Sequence, residues 1–427
     1  MSRTPARLPL PALLALATAV FVTSLTETLP AGLLPAMSTD LGVGESAMGQ
    51  SVTIYAIGTA ATAIPLSAAT AGWRRKRLLL VAMAGFAVAN TVTAVSANYP
   101  LTMAARFVAG VAAGLAWALL AGYARRLAPA HLQGRAIAIV MTGIPVALSL
   151  GVPAGTFLGD AVGWRVTFSV MTVLAVVLLG WIAVTVPDRP GQRREGPRRE
   201  RQRREGQREG QRREGRTPVL RTLALPGVAP VLFVTLVLVL AHTVLYTYIA
   251  TFLDRLGMGG STDVVLLVFG AASLLSIWIV GVHIHRRLRA LTLASTVLFA
   301  VAATVLAIAA DSPAAVYAAV TLWGLGWGGA PTLLQTAVGD AGGEEADTAQ
   351  AMLVTLWNAA MAGGGVVGGV LLDRLGSRSF PWSVLVLLVP VLAVVAGARA
   401  HGFPGAGERT DTAIGTSTGT GTGTRTG

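Results

Sequence analysis

A single carboxylate lies deep inside an apolar segment near the start of the chain. Glu27 belongs to the stretch Thr23-Ser-Leu-Thr-Glu-Thr-Leu-Pro30, within an apolar run from Leu10 to Met37. Such a run is long enough to cross a bilayer, which takes roughly 20 residues. A charge at the centre of a spanning helix costs on the order of 2.5 to 3.5 kcal/mol, so these residues usually serve a function. We interpret Glu27 as a proton-exchanging group; a protonated carboxyl that only joins helices is the alternative.

Two more ionisable residues within apolar runs are candidates for proton coupling. Arg106 precedes Gly110 in the fourth run, and its depth differs from that of Glu27 by about 6 Å at the rise of an α-helix, which an arginine can span. An ion pair would lower the cost of burying both charges; an arginine that caps carbonyl groups or reaches outward is the alternative. The seventh run contains His242, a candidate because an unperturbed imidazole titrates near physiological pH, although a neutral packing histidine fits the position equally well.

Other polar and aromatic residues within the runs are candidates for the wall of a substrate cavity. Trp323 and Trp327 are four residues apart and therefore share one helix face, where they could line a cavity or only pack. The predicted lining consists of Thr23, Tyr55, Tyr246, Trp323, Trp327, Gln335 and Asn358.

Composition excludes most other classes of protein. Of 427 residues, 53% are hydrophobic and 12% charged, which is typical of a polytopic membrane protein. The net charge of +13 could indicate nucleic acid, but 13 of the 33 basic residues lie between Arg189 and Arg221, and most others flank apolar runs. This is the positive-inside pattern. The sequence contains no metalloprotease, nucleotide-binding or hydrolase motif, so we expect no enzyme, metal or cofactor.

Twelve apolar runs predict an all-α protein with twelve transmembrane helices in two pseudo-symmetric six-helix bundles. We assign the N-terminal bundle to residues 1–187, a basic disordered linker to 188–222, the C-terminal bundle to 223–403 and a disordered tail to 404–427. The runs cover about Leu10 to Met37, Met48 to Ala71, Leu78 to Ala97, Leu101 to Tyr123, Ala136 to Leu158, Arg165 to Val186, Val228 to Leu253, Val264 to His283, Ala290 to Ala309, Ala314 to Ala337, Thr348 to Leu372 and Pro381 to Ala398.

The basic connections predict the orientation. They place both termini in the cytoplasm of a bacterium, with the chain in the plasma (inner) membrane. Two later connections disagree: Gly339 to Asp347 is acidic where the rule requires basic residues, and Asp373 to Arg378 puts two arginines outside. The basic clusters in the earlier connections contain more arginines, and we take the orientation from them.

Small residues and prolines mark the fifth run. Glycines at four-residue spacing let helices approach closely, and proline bends a span. The pattern resembles motif C of the proton-coupled antiporters in the major facilitator superfamily, and Arg106 with Gly110 and Gly114 resembles motif B. The residues that carry the motif C resemblance are Gly143, Gly151, Pro153, Gly155 and Gly159.

A wider resemblance covers nearly the whole chain. Glu27 to Pro35, Tyr55, the His242 to Tyr248 segment and Trp357-Asn358 are similar to the bacterial efflux branch of the drug:proton antiporters. The resemblance implies export of small organic molecules in exchange for protons, with arabinose, purine nucleoside and chloramphenicol exporters in that branch.

One departure concerns motif A of the same family. That motif places an Asp shortly before its basic cluster, where this sequence offers Thr70 or Ala71. In the family, that Asp stabilises the outward-open state; we therefore assign this role to no residue of this sequence.

The leading hypothesis is a monomeric, proton-coupled exporter of drugs or metabolites that works by alternating access. Its partners would be the small-molecule substrate, protons and membrane lipids, with no nucleic acid. A proton-linked sugar or nucleoside uptake symporter and a non-transporting membrane sensor or scaffold are the alternatives.

Overall fold

Twelve helical segments span the molecule. The structure is a computed structural model that describes residues 8–69, 73–129, 132–188, 218–398 and 402–403, and those residues contain no strand. Ten stretches have the length and hydropathy of membrane spans; one of them, Pro313–Leu375, is long enough for two spans and contains three α-helices, and Glu45–Ala69 adds a further helix of 25 residues. The predicted all-α architecture with twelve spans is confirmed.

We number the spans in chain order. α1 is Leu10–Leu41, α2 Glu45–Ala69, α3 Arg75–Val95, α4 Tyr99–Leu127, α5 Gln133–Val162 and α6 Trp164–Thr185. In the second half, α7 comprises Val228–Thr247 and Ile249–Arg255, α8 is Gly259–Ile284, α9 Arg286–Ile308, α10 Pro313–Trp327 with Ala330–Gly342, α11 Ala346–Leu375 and α12 Ser379–Gly397.

Three spans are interrupted, each at an identifiable residue. α5 contains one turn of π-helix at Ala147–Gly151, just before Pro153, whose missing N–H leaves a carbonyl one turn earlier without its usual donor. α10 breaks at Gly328 and Gly329. α7 breaks at Tyr248, which has φ −110° and ψ 21°.

The two halves share one stabilising contact in equivalent positions. Near the start of α3, Lys76 Nζ donates a hydrogen bond to the Ala183 carbonyl at the end of α6, over 2.7 Å. Near the start of α9, Arg289 Nη2 donates to the Ala396 carbonyl at the end of α12, over 2.8 Å. Cations favour helix C-termini because the last carbonyl groups lack helical donors. The basic cluster after the second span of each half therefore ties its third helix to its sixth.

The predicted linker needs one correction. Its residues 189–217, like Thr70, Ala71 and the tail 404–427, lie outside the described residues, and the domain boundaries stay a prediction. Residues up to 222 were expected to be disordered, but Pro218–Leu223 form a helix. Proline is favoured in the first turn of a helix. Thr222 is buried, and Arg221 lies 4.0 Å from Glu345, so tertiary contacts order this segment.

Residues at the connection between α5 and α6 form hydrogen bonds to two other helices, α1 and α3. Trp164 Nε1 donates to Asp40 Oδ2 over 2.9 Å, and Arg165 lies 3.4 Å from the same carboxylate. Arg165 also donates to the carbonyl groups of Ala94 and Ser96 at the end of α3. Gly163 supplies the positive φ of 96° that this tight connection requires. The Gly-Trp-Arg sequence therefore fixes α1, α3 and α6 relative to one another.

The two halves meet at one end of the bundle. We call it the outer end, since it carries the α1–α2 connection that the basic loops predict to face away from the cytoplasm. In the described part of the chain, the hydrogen bonds that we find between the halves lie on the first turns of α2. We name these contacts the outer seal: Ser46 to Asp373 (2.8 Å), Gln50 to the Gly365 carbonyl (3.1 Å), Thr53 to the Ala362 carbonyl (3.0 Å) and Tyr248 to the Ser46 carbonyl (3.4 Å).

Glycines let the backbones of the two halves approach closely, both near mid-depth and towards this end. A Cβ on Gly270 of α8 would overlap the backbone of Ser149 in α5, and a Cβ on Gly365 of α11 would overlap the Thr53 hydroxyl of α2. The structure is therefore closed at the outer end, which is one of the two arrangements that alternating access requires.

Candidate functional site

A proline within α1 determines what Arg106 binds. Pro30 has no N–H, so the carbonyl of Thr26, four residues earlier, loses its helical donor. Arg106, only 1% exposed, supplies the missing donor: its Nη1 lies 2.7 Å from the Thr26 carbonyl and its Nη2 lies 3.4 Å from the backbone carbonyl of Glu27. The expected ion pair with the Glu27 carboxylate is thus replaced by hydrogen bonds to the backbone, because Pro30 leaves an acceptor within reach.

A buried polar layer surrounds this contact between Arg106 and α1. The Arg106 guanidinium lies over the Tyr55 ring, 4.9 Å from its centroid, a favourable cation–π arrangement. Tyr55 Oη donates to the Thr23 carbonyl over 3.3 Å, and Asn90 Nδ2 donates to Thr26 Oγ1 over 3.3 Å. The Thr23 hydroxyl bonds its own helix, to the Ala19 carbonyl. Thr23 and Tyr55, predicted to line the cavity, are buried beneath Glu27 and hold α1 in place.

Glu27 lies near the middle of α1. The side chain is half-buried, and in the part of the chain that the structure describes no hydrogen bond or ion pair reaches its carboxylate. It nevertheless interacts electrostatically with Arg106 in its own half and with Tyr246 across the interface. A carboxyl group near a cation, yet not held by it, is able to gain and lose a proton.

Opposite Glu27, the second half contributes a group of stacked rings that we call the aromatic chamber. His242 stacks on Trp327 with centroids 3.5 Å apart and planes 5° apart, and it lies 5.2 Å from Tyr246 and 5.4 Å from Trp323. These rings come from α7 and α10. The full set is His242, Tyr246, Phe269, Phe299, Trp323 and Trp327, with the half-buried Trp357 5.8 Å from Trp327 at its edge.

Three buried polar atoms of the chamber have no hydrogen-bond partner among the residues that the structure describes. They are His242 Nδ1, Tyr246 Oη and Trp323 Nε1, and their side chains are 9%, 7% and 1% exposed. Leaving such an atom unsatisfied costs about 1–3 kcal/mol, so native proteins rarely tolerate several together. An apolar pocket with a few convergent polar groups is the usual form of a small-molecule site. The arrangement can bind a molecule that completes these hydrogen bonds.

The remaining cavity candidates lie elsewhere. Gln335 is exposed in the second part of α10, and its carbonyl accepts a hydrogen bond from Gln350. Asn358 donates a hydrogen bond to the Val354 carbonyl of its own helix, next in sequence to Trp357. Sequence reasoning missed Phe269 and Phe299, because a phenylalanine in an apolar span carries no distinguishing signal.

The motif C glycines pack α5 against α1. A Cβ on Gly143 would overlap the Ala17 carbonyl, and one on Gly159 would overlap Leu33. Gly151 lies under Phe21 and Gly155 under Leu29 in the same way, while Pro153 follows the π-turn and is buried. The motif thus sets the distance between α5, which touches the other half at Gly270, and the helix that carries Glu27.

The comparison with known proteins agrees with this architecture. Residues 16–364 match the Major Facilitator Superfamily. The chain belongs to that superfamily. Members of this superfamily transport small molecules, so the chain is a transporter and not an enzyme.

Several known proteins are similar to this chain over nearly their full length. The chain is 30% identical over 396 residues to the transcription regulatory protein OpdE of Pseudomonas aeruginosa, covering 92% of this chain and 94% of that one. It is 25% identical over 378 residues to the purine ribonucleoside efflux pump NepI of Escherichia coli, covering 88% and 91%. The crystal structure of the human organic anion transporter MFSD10 (TETRAN) shares the fold, with a TM-score of 0.64 at 15% identity over 92% of this chain and 100% of that one.

In this superfamily transporter, Gly110 should be intolerant of a side chain. A Cβ there would overlap the Tyr55 carbonyl, whereas Gly122, on the same helix, has nothing within 4 Å of its would-be Cβ. We expect Gly110→Ala to cost about 1–3 kcal/mol through overpacking and to lower the thermal unfolding midpoint measured by tryptophan fluorescence in detergent. Gly122→Ala is the matched control and should behave as wild type. Equal midpoints for the two variants would contradict the close approach of α4 to α2.

Proposed function

We propose that the chain exports small organic molecules, such as drugs or metabolites, in exchange for protons. The observation that carries this proposal is the position of Glu27: a half-buried carboxyl at mid-membrane depth, near Arg106 but not paired with it, and facing the aromatic chamber across the interface. An ionisable group in a transporter at this depth is expected to lie on the ion pathway.

The exchange follows from the two arrangements of the halves. With the outer seal open, Glu27 would take a proton from the more acidic outer side. With the seal closed, as in this structure, cargo entering from the cytoplasm would reach the chamber and Glu27 would release its proton inward. The nearby Arg106 stabilises the deprotonated carboxylate, while cargo and proton compete for the same region. His242 would contribute to cargo binding or to the proton path.

Direction and location belong to the same proposal. The basic connections favour the bacterial plasma membrane with both termini in the cytoplasm. The motif C resemblance and the efflux pump among the relatives favour export over uptake. A monomer suffices, because both sides of the site come from one chain.

Transport by inside-out membrane vesicles tests the proposal. Vesicles containing the protein are energised to an acidic interior and offered a panel of radiolabelled antibiotics, sugars and nucleosides. We expect at least one compound to accumulate inside, and accumulation to collapse when nigericin dissipates the pH gradient. Vesicles without the protein are the control. Gradient-driven loss of cargo from the vesicles would instead establish the uptake symporter.

The name of one relative favours a second candidate, a membrane sensor or scaffold. OpdE, at 30% identity, is named a transcription regulatory protein. In a sensor, the basic segment between the halves would bind a partner.

Deleting residues 193–213 separates the two candidates. A transporter should keep most of its flux, since a solvated tether adds no packing to the halves, whereas a sensor should lose its response. Flux in vesicles and transcription of neighbouring genes are the two measurements. Loss of flux with a normally folded variant would contradict the tether role.

A further inference from the structure

We propose that the aromatic chamber binds a neutral, planar heteroaromatic ring that carries hydrogen-bond acceptors. This inference rests on the proposed export of small organic molecules and names the class of cargo. It makes the chamber the part of the site that selects cargo, while Glu27 couples transport to protons.

The ring stack supports a flat ligand. The imidazole of His242 lies parallel to the Trp327 indole at 3.5 Å, so the indole face already accommodates a flat heterocycle at van der Waals distance. A ligand ring that lay with an offset on this indole face would gain energy beyond its buried area. Rotation of the His242 side chain would give a cargo ring the same place on Trp327. The half-buried Trp357, 5.8 Å from Trp327, lies at the edge through which the ring would enter.

The polar atoms determine what the ring must carry. An indole N–H only donates, and a phenol hydroxyl donates most readily, so Trp323 Nε1 and Tyr246 Oη require acceptors on the ligand. His242 Nδ1 accepts or donates according to its tautomer. A ring with two acceptors, such as a carbonyl oxygen and an aza nitrogen, would complete these bonds. A free sugar has acceptors but no planar aromatic ring to lie parallel to the indole.

Charge narrows the class further. The six side chains of the chamber include no carboxylate and no permanently charged group, and the charged group that acts on Tyr246 is Glu27, which has Arg106 beside it. An anionic ring would be repelled by Glu27 and poorly solvated among the aromatic rings. A neutral ring fits both constraints.

Isothermal titration calorimetry on purified protein in detergent tests the inference without any gradient. The probes are inosine and uridine, which carry planar rings with acceptors, and methyl β-D-ribofuranoside, which keeps the sugar and lacks the ring. The variants are Trp327→Leu, which removes the stacking face, and Tyr246→Phe, which removes one donor and keeps the ring. Trp278→Leu is the matched control, since Trp278 is 65% exposed on α8.

We expect at least one nucleoside to bind and the riboside to show no binding. Trp327→Leu should weaken nucleoside binding about tenfold or more, Tyr246→Phe severalfold, and Trp278→Leu less than twofold. Size-exclusion profiles verify folding, and the conservative Tyr246→Phe variant keeps the test valid if Trp327→Leu misfolds.

The inference is overturned if neither nucleoside binds, if the riboside binds as tightly, or if Tyr246→Phe binds like wild type. Its failure is distinct from failure of the proposed function. Ring-selective binding without gradient-driven export would support the chamber and refute proton-coupled export. Gradient-driven export of sugars with no ring-selective binding would support proton-coupled export and refute the role of the chamber.

Discussion

Glu27→Gln is expected to abolish export driven by a pH gradient. Glutamine has nearly the same size as protonated glutamate but carries no exchangeable acid, so the carrier loses the group that couples cargo to protons. In energised vesicles, accumulation should fall by at least about tenfold, towards the level of vesicles without the protein, because an uncoupled carrier only equilibrates its cargo. Cargo binding measured without a gradient should persist, because the aromatic chamber is intact.

Two controls make this result specific. Glu344→Gln removes an exposed carboxyl from the connection between α10 and α11, away from Glu27, and should leave export unchanged. Glu27→Asp keeps the acid on a shorter side chain and should retain part of the coupling. Undiminished gradient-driven export by Glu27→Gln would refute the assigned role of Glu27 and leave a carrier with another source of energy.

A disulfide across the outer seal is expected to stop transport completely. A Cβ built on Gly365 of α11 lies 3.5 Å from Thr53 Cβ of α2, within the 3.5–4.5 Å range that disulfides require. The chain has no cysteine, so Thr53→Cys with Gly365→Cys would form the only pair. Oxidation should hold the halves closed at the outer end, and export should return after reduction with dithiothreitol.

The matched control joins two helices of one half. Thr91 of α3 and Thr172 of α6 have their hydroxyl oxygens 3.1 Å apart, and both lie in the first half. Thr91→Cys with Thr172→Cys should cross-link to a similar extent and leave export intact, because alternating access moves the halves as largely rigid bodies. Full export by the oxidised Thr53→Cys, Gly365→Cys protein would show that the outer seal does not open during transport.

The sequence determined the twelve spans and the position of the buried acid. Hydropathy adds up along a helix and the bilayer fixes its length, so the predicted runs agree with the observed helices to within a few residues. The glycines and prolines of α5 were equally visible, because close helix packing needs small residues at four-residue spacing.

Only the tertiary structure decided how the site is assembled. Arg106 was expected to pair with the Glu27 carboxylate, yet it bonds the Thr26 carbonyl, because Pro30 on a different helix from Arg106 leaves that acceptor open. The aromatic chamber joins rings from α7, α8, α9 and α10, and no spacing along one helix reports which faces of four helices meet. Local periodicity fixes each helix, whereas hydrogen-bond partners and ring stacks depend on packing between helices, which the sequence of any one span does not contain.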